Sequence, residues 1–135
     1  MLRFIWAYLV YTWGGLHRYF GNKSHLRQEH ETAVRYFSRA YEIDPDFRRA
    51  RLERGTLLWR ELNRSEEALA DFDALLEEDP LYGPALFARA LVTQEYGRYQ
   101  DALDDLDNYL ALPDPEPYWD EAKRAAALLR QILAE

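Results

Sequence analysis

Cysteine is absent from this chain of 135 residues. Without a thiol, the chain cannot form disulfides, thiolate metal sites, cysteine nucleophiles or dithiol redox motifs. Glycine and proline are also scarce, at six residues each, and 48% of the residues are hydrophobic. This composition is typical of one ordered globular domain. A reducing compartment suits such a chain, and we expect a cytoplasmic protein.

Acidic residues are missing from the first 28 positions, and basic residues are few in the second half. Residues 1–68 carry 12 Lys and Arg against 9 Asp and Glu, whereas residues 69–135 carry 5 against 15. The formal net charge of −7 therefore hides an asymmetry. The early basic residues are scattered, while a nucleic-acid interface concentrates its positive charge on one face. We expect no nucleic acid partner.

No apolar run is long enough to predict a membrane-spanning helix. Residues 4–16 contain no formal charge, but a spanning helix needs roughly 18 to 20 apolar residues. The segment also lacks the small-x-small cleavage site of a secretory signal peptide and is rich in Trp and Tyr. We therefore expect neither a transmembrane nor a secreted protein.

A pattern of small and bulky residues recurs with a period of 34 to 35 residues. Each unit has a small residue, then an alanine, then a bulky residue four positions after the alanine, and it closes at a proline. These positions are Gly21, Gly55 and Ala90; Ala33, Ala68 and Ala102; Phe37, Phe72 and Leu106; and Asp44-Pro45, Asp79-Pro80 and Pro113-Asp114-Pro115. Such a period indicates a repeat architecture, in which each unit buries its apolar face against the next.

Each unit is predicted to contain two amphipathic helices, because its apolar residues recur every three to four positions. Proline ends the second helix, since it disfavours helical geometry in the preceding residue and cannot donate a backbone hydrogen bond. Ser65, followed by two glutamates, predicts a helix start. Ser24 is expected to begin a helix of the first unit in the same way.

These residues resemble the tetratricopeptide repeat family, whose 34-residue unit has small residues at positions 8, 20 and 27, an aromatic at 24 and a proline at 32. The first unit matches all five positions, with Gly21, Ala33, Phe37, Ala40 and Pro45. The match weakens in the second unit and again in the third. The resemblance implies an all-α fold: a right-handed α-solenoid of about three tetratricopeptide-like helix pairs plus a C-terminal capping helix.

The pattern divides a single domain, residues 1–135, into five parts. Residues 1–13 form an aromatic N-terminal helical extension, residues 14–47, 48–82 and 83–114 form the three repeats, and residues 115–135 form the capping helix. The capping helix is predicted from one apolar stripe, made of Trp119, Ala122, Ala126, Leu129 and Leu133. A terminal helix of this kind covers the last open face of a stack of repeats.

No constellation of catalytic or metal-binding residues stands out. His25, Glu29 and His30 share a polar segment, but their spacing does not match a metal site and no further ligand lies at a suitable spacing. The aspartates of residues 101–107 lie on a predicted helix and not in a calcium loop. We expect no enzyme, no cofactor and no metal. The alternative is a small enzyme or ligand-binding protein with a pocket under the aromatic N-terminal helix.

The resemblance also implies a groove for a peptide or protein partner, because in this family the first helix of each pair lines the concave face. The corresponding positions combine apolar side chains with arginines, and they are Arg18, Tyr19, Asn22, Arg49, Leu52, Thr56, Trp59, Arg60, Phe87, Leu91 and Gln94. Trp and Arg are favoured anchors at interfaces, and Trp59 is the expected anchor here. The alternative is that Trp59 packs against a neighbouring helix.

Chaperone-binding members of the family clamp a terminal carboxylate with Lys, Asn and Arg on successive first helices. Arg18 and Asn22 could supply the first two donors. Glu53, Pro84 and Ala88 stand where the other donors are needed. We therefore expect that the chain does not bind chaperone tails.

Aromatic side chains crowd the start of the chain, and three interpretations of them are open. The residues are Phe4, Trp6, Tyr8, Tyr11 and Trp13, followed by Tyr19 and Phe20. They could pack on the first repeat. They could instead be covered by a second copy in a homodimer, because one repeat cannot bury apolar residues on most sides of a helix. The third interpretation is a helix on a membrane surface.

Overall fold

The computed structural model describes residues 1–135, and its regular structure is entirely helical. The seven helices are α1 (Leu2–Ser24), α2 (Arg27–Ile43), α3 (Arg48–Arg60), α4 (Ser65–Glu78), α5 (Gly83–Glu95), α6 (Tyr99–Leu110) and α7 (Trp119–Ala134). The predicted all-α class is confirmed. The chain forms two compact units, Met1–Asp71 and Phe72–Glu135.

The end of α2 and the start of α4 follow the local sequence signals, whereas the start of α2 does not. Helix α2 ends at Ile43, and Asp44, which precedes Pro45, has extended backbone. Helix α4 begins at Ser65, as its sequence predicts. Ser24 does not begin α2, because its hydroxyl donates to the carbonyl of Phe20 in α1. The residue that precedes α2 is Leu26, which has no side-chain cap.

Helix α1 is continuous from Leu2 to Ser24, so the aromatic extension and the first helix of the first pair are one helix. It packs on α2 through a face of small residues, and its buried residues are Ala7, Val10, Gly14 and Gly21. A methyl group at Gly14 would lie 2.7 Å from Cε1 of the buried Phe37. A methyl group placed at the neighbouring Gly15 would have no atom within 4 Å beyond its chain neighbours and the adjacent backbone of its own helix. Close contact between α1 and α2 therefore depends on Gly14.

Gly14→Ala and Gly15→Ala form a matched pair that tests this contact. Both changes gain the same helix propensity, but only Gly14→Ala forces Phe37 to move. We expect Gly14→Ala to be less stable than Gly15→Ala by about 1–3 kcal/mol in free energy of unfolding. Urea denaturation followed by circular dichroism measures the difference. Equal stability of the two variants would contradict the predicted contact.

An arginine bridge recurs in the two units at a spacing of 35 residues. In the first unit, Nε of Arg54 donates to the Asp71 carboxylate at 2.8 Å, and Nη1 donates to the Ser38 hydroxyl at 3.0 Å. Asp71 is 1% exposed. Each such bridge links the first helix of a pair to its own second helix and to the second helix of the preceding pair.

In the second unit, Arg89 occupies the corresponding place in α5. Its Nε and Nη2 donate to the two carboxylate oxygens of Asp105 in α6 at 2.7 and 2.8 Å, and Nη1 donates to Asp73 at 2.9 Å. Asp105 is buried. Residues 54 and 89, 71 and 105, and 38 and 73 thus play equivalent structural roles.

Helix α7 packs on α6 through three of the five residues predicted to form its apolar stripe. Ala122, Ala126 and Leu129 are fully buried, whereas Trp119 and Leu133 are exposed. Ahead of α7, the backbone N–H of Tyr118 donates to the Tyr109 hydroxyl at 3.0 Å, which ties the connecting segment to α6. No helix in the structure combines the length and the hydrophobicity that crossing a bilayer requires.

Candidate functional site

Four of the predicted groove residues come together in the first unit. Arg18 and Asn22 of α1 and Thr56 and Arg60 of α3 line one pocket of about 200 Å³, and the other residues of its lining are Leu57 and Glu61. Side chains that the sequence separates by more than thirty positions therefore share one concave surface. The pocket offers guanidinium, amide and hydroxyl groups that can donate hydrogen bonds.

A carboxylate lies beside the arginines of this surface. Glu53 of α3 forms an ion pair with Arg18, and its carboxylate lies 3.9 Å from Nε of the exposed Arg49. Burial, followed by the negative charge of Glu53, raises the pKa of the nearby Tyr11. The positive charge of Arg18 is thus already satisfied within the unit, whereas the Arg60 side chain is exposed to solvent.

Trp59 is half-buried at the end of α3. The guanidinium carbon of Arg60 lies 5.0 Å from the centre of its ring, within the range of a cation–π interaction. The Arg60 side chain thus lies over the Trp59 ring. Tyr19 is exposed on α1, and Leu52 is half-buried on α3.

In the second unit, the structure differs from the prediction at Phe87. The sequence predicts Phe87 as a residue that lines the groove, but its side chain is only 8% exposed. The ring of Tyr118 stacks on it in parallel, with centroids 4.4 Å apart, and Tyr109 packs beside it at 5.6 Å. The segment before α7 therefore covers this position. Leu91 and Gln94 are half-buried, and their role as groove residues stays a prediction.

The second unit also has a pocket that the sequence did not suggest. Its volume is about 340 Å³, and it is lined by Asp73, Leu76, Glu77, Pro80, Leu86, Arg89 and Asn108. Arg89 is held there by its bonds to Asp73 and Asp105. The 35-residue recurrence of Arg54 and Arg89 was the signal that could have revealed this arginine.

The aromatic residues of α1 divide into two groups. Phe4, Tyr8 and Tyr11 surround Phe47, with ring centroids 5.7, 6.3 and 5.0 Å from its ring. Trp6 and Trp13 are more than half exposed. Phe4 and Tyr8 are also about half exposed, at 50% and 52%, so only Tyr11 of the predicted self-association set is half-buried. Six further large apolar residues of α1 are exposed that this set did not include, namely Leu2, Ile5, Leu9, Leu16, Tyr19 and Phe20.

The polar residues considered as metal ligands have different partners. The buried His30 lies 2.8 Å from the amide oxygen of Asn22 through its Nε2. Glu29 pairs instead with His17, whose Nδ1 is 2.6 Å from the carboxylate and whose ring stacks on Tyr36. His25 ends α1 with a left-handed backbone conformation, at φ 57°.

Comparisons with known proteins show which proteins this chain is similar to. No profile of a known protein family matches the chain. It is 31% identical over 96 residues to the DnaJ homolog subfamily C member 7 homolog of Schizosaccharomyces pombe, and this match covers 68% of this chain. It is 42% identical over 60 residues to a UDP-N-acetylglucosamine–peptide N-acetylglucosaminyltransferase of Giardia intestinalis, and this match covers 44% of this chain. The chain spans only 20% and 4% of the lengths of these two relatives.

Among solved structures, the chain is similar to the first TPR of Spaghetti (RPAP3) bound to the HSP90 peptide SRMEEVD. The TM-score is 0.69 at 19% sequence identity, and the match covers 92% of this chain and 95% of that chain. This similarity shows the fold. The repeat pattern predicted from residues 14–114 and the fold of a solved TPR domain therefore agree.

Proposed function

This chain has the tetratricopeptide repeat fold, and we propose that it is a non-catalytic scaffold. Its peptide or protein partner binds on the first helices of the pairs. The pocket between α1 and α3 carries this proposal, because it gathers Arg18, Asn22, Thr56 and Arg60 on one concave surface. The peptide bound to the solved TPR domain of Spaghetti (RPAP3) supports it by analogy of fold.

A non-catalytic role is supported by the way the charged side chains are used. Arg18 is paired with Glu53, and Arg54 and Arg89 are each paired with a buried aspartate. Ion pairs of this kind hold helices together, so these arginines and aspartates have structural roles. The rival proposal, an enzyme or ligand-binding protein with a pocket beneath α1, requires clustered ionisable groups there.

The proposed partner differs from the acidic tail in the Spaghetti (RPAP3) structure. A terminal carboxylate approaching Arg18 would meet Glu53, which already forms an ion pair with it. Positions 84 and 88 are Pro and Ala, so they supply no cation. We propose instead a segment that inserts an apolar side chain against Trp59 and presents a carboxylate to Arg60.

Replacing Trp59 by Ala tests this proposal. We expect peptides selected on the wild-type protein from a random display library to bind the variant roughly 30-fold more weakly, because an aromatic anchor contributes about 2 kcal/mol or more. Fluorescence anisotropy with labelled peptides measures the affinity. Circular dichroism should show unchanged helicity.

Trp119→Ala is the matched control, since Trp119 is also partly exposed and also has a cation over its ring, with Nζ of Lys123 4.7 Å from the centroid. The control should bind the selected peptides with wild-type affinity. A folded Trp59→Ala variant with wild-type affinity would show that Trp59 only packs within its own unit.

We also propose that the chain self-associates through α1. The exposed side chains of Trp6 and Trp13 support this, because monomers rarely leave several large apolar residues of one helix in water. Association with a membrane surface is the competing proposal. The cytoplasmic location expected from the sequence stays a prediction.

A further inference from the structure

One side of α1 carries an uninterrupted apolar surface that nothing in the structure covers. This outer stripe consists of Ile5, Trp6, Leu9, Trp13, Leu16 and Phe20, each 40–56% exposed. The opposite side of the helix is buried against α2. Packing within the unit therefore uses one side of α1 and leaves the outer stripe to another molecule.

The outer stripe has the same spacing when it is read from either end of the helix. Its positions 5, 9, 13, 16 and 20, together with Thr12, are symmetric about the point between residues 12 and 13. Trp6 has its symmetric counterpart in Tyr19, which is 56% exposed. A second α1 running antiparallel would thus place position 5 opposite 20 and position 9 opposite 16. This is the self-complementarity that a two-fold interface requires.

The size of the outer stripe fits a second copy of the chain. The three aromatic residues of the stripe have 150–250 Å² each to bury, so at half exposure they leave about 100 Å² each. With the three aliphatic residues counted at the same rate, the stripe exposes up to about 600 Å². Two copies would bury roughly 1,200 Å² in total, at the lower end of the range for stable protein interfaces. A patch of this area is also at the upper limit for a monomer.

The charges of α1 favour a second copy over an anionic lipid surface. No residue of the outer stripe is charged, so two copies do not repel each other. Arg3 lies 3.6 Å from the carboxylate of Asp44, and Arg18 is paired with Glu53. Both cations therefore have a carboxylate partner in their own unit, although the Arg3 side chain is 63% exposed. Lys23, beyond the end of the stripe, is the remaining Lys or Arg of α1.

We propose that a second copy of this chain packs antiparallel on the outer stripe, with a two-fold axis between Thr12 and Trp13. This rests on the self-association proposed above and specifies its seam. In the resulting pair, Leu9 of one copy contacts Leu16 of the other. Phe4, Tyr8 and Tyr11 keep their ring contacts with Phe47 within each unit, although Phe4 and Tyr8 are themselves about half exposed.

The absence of native cysteine allows a direct test with introduced thiols. Leu9→Cys and Leu16→Cys variants of the full chain, distinguished by a tag on one of them, are mixed in a buffer of reduced and oxidised glutathione. Antiparallel pairing brings only position 9 and position 16 within the 4.4–6.8 Å Cα separation of a disulfide. We expect mass spectrometry to find mainly the mixed 9–16 disulfide.

Leu128→Cys on α7 is the control, because Leu128 is a similarly exposed leucine outside the outer stripe. It should form no more cross-linked dimer than random collision produces. Mainly 9–9 and 16–16 disulfides in a dimeric protein would overturn the antiparallel seam but leave self-association intact.

Sedimentation equilibrium on the wild-type chain tests self-association separately from the antiparallel seam. We expect a concentration-dependent dimer that Leu9→Glu abolishes and Leu128→Glu preserves. A wild-type protein that is monomeric at all concentrations would overturn self-association and its seam together. A monomer that sediments with vesicles containing anionic phospholipid, and loses this binding in Leu9→Glu, would assign the outer stripe to a membrane.

Discussion

Replacing Arg89 by Met is expected to lower the free energy of unfolding by about 3–5 kcal/mol, because the change leaves the buried carboxylate of Asp105 without its partner. Arg89 makes two hydrogen bonds to Asp105 and one to Asp73. The bond to Asp105 outweighs the effect of burial and raises the pKa of Arg89 above its ordinary value. Urea denaturation at one fixed protein concentration measures the loss.

Two further variants make this prediction specific. Arg98→Met removes an exposed arginine that pairs with Asp101 three residues later in the chain, and it should change stability by less than about 1 kcal/mol. Combining Arg89→Met with Asp105→Leu removes both buried charges and should recover most of the loss. A double variant as unstable as Arg89→Met alone would show that the arginine acts through its packing and not through the ion pair.

Replacing Phe37 by Ala is expected to lower the free energy of unfolding by about 3–5 kcal/mol. Phe37 is fully buried, its ring lies 5.5 Å from that of Tyr11, and it belongs to a cluster with Ala33 and Leu57. Truncation leaves a cavity where α1, α2 and α3 meet. Thermal unfolding and urea denaturation measure the loss.

Tyr96→Ala is the control for Phe37→Ala, since Tyr96 is an aromatic residue that is 57% exposed. Its truncation should change stability by less than about 0.5 kcal/mol. A Phe37→Ala variant that is as stable as Tyr96→Ala would contradict the assignment of Phe37 to the centre of the first helix pair.

The repeat positions could be predicted because close packing of two helices requires a small side chain at the same place in every unit. Ala33, Ala68 and Ala102 are all fully buried, as their shared period implies. Only small side chains fit where two helices approach closely, so alanine recurs once in every unit. Phe72 and Leu106 are buried in the same way, and this spacing was sufficient to predict the helix pairs.

The arginine bridges were not predictable from hydrophobic periodicity. Arg54 and Arg89 interrupt the apolar face of their helices, and a charged residue in that position is usually read as solvent-exposed. Their role depends on Asp71 and Asp105, which lie 16 to 17 residues further along the chain. A search for recurring pairs of opposite charge would have found them, whereas a search for recurring apolar residues does not.

The candidate site was predicted only in part, because a helical pattern gives the orientation of a residue but not what covers it. Arg18, Asn22, Thr56 and Arg60 share a pocket on the predicted face. Phe87 has the predicted helical position, yet Tyr118 stacks on it from a segment without regular structure. Periodicity carries no information about where such a segment lies.

An NMR titration of the ¹⁵N-labelled chain with a peptide selected from the display library tests the central claim most directly. We expect the largest shifts at the indole N–H of Trp59 and at the amides of Arg18, Thr56 and Arg60. Shifts that instead cluster on α2 or α7, with Trp59 unchanged, would contradict a binding site on the first helices.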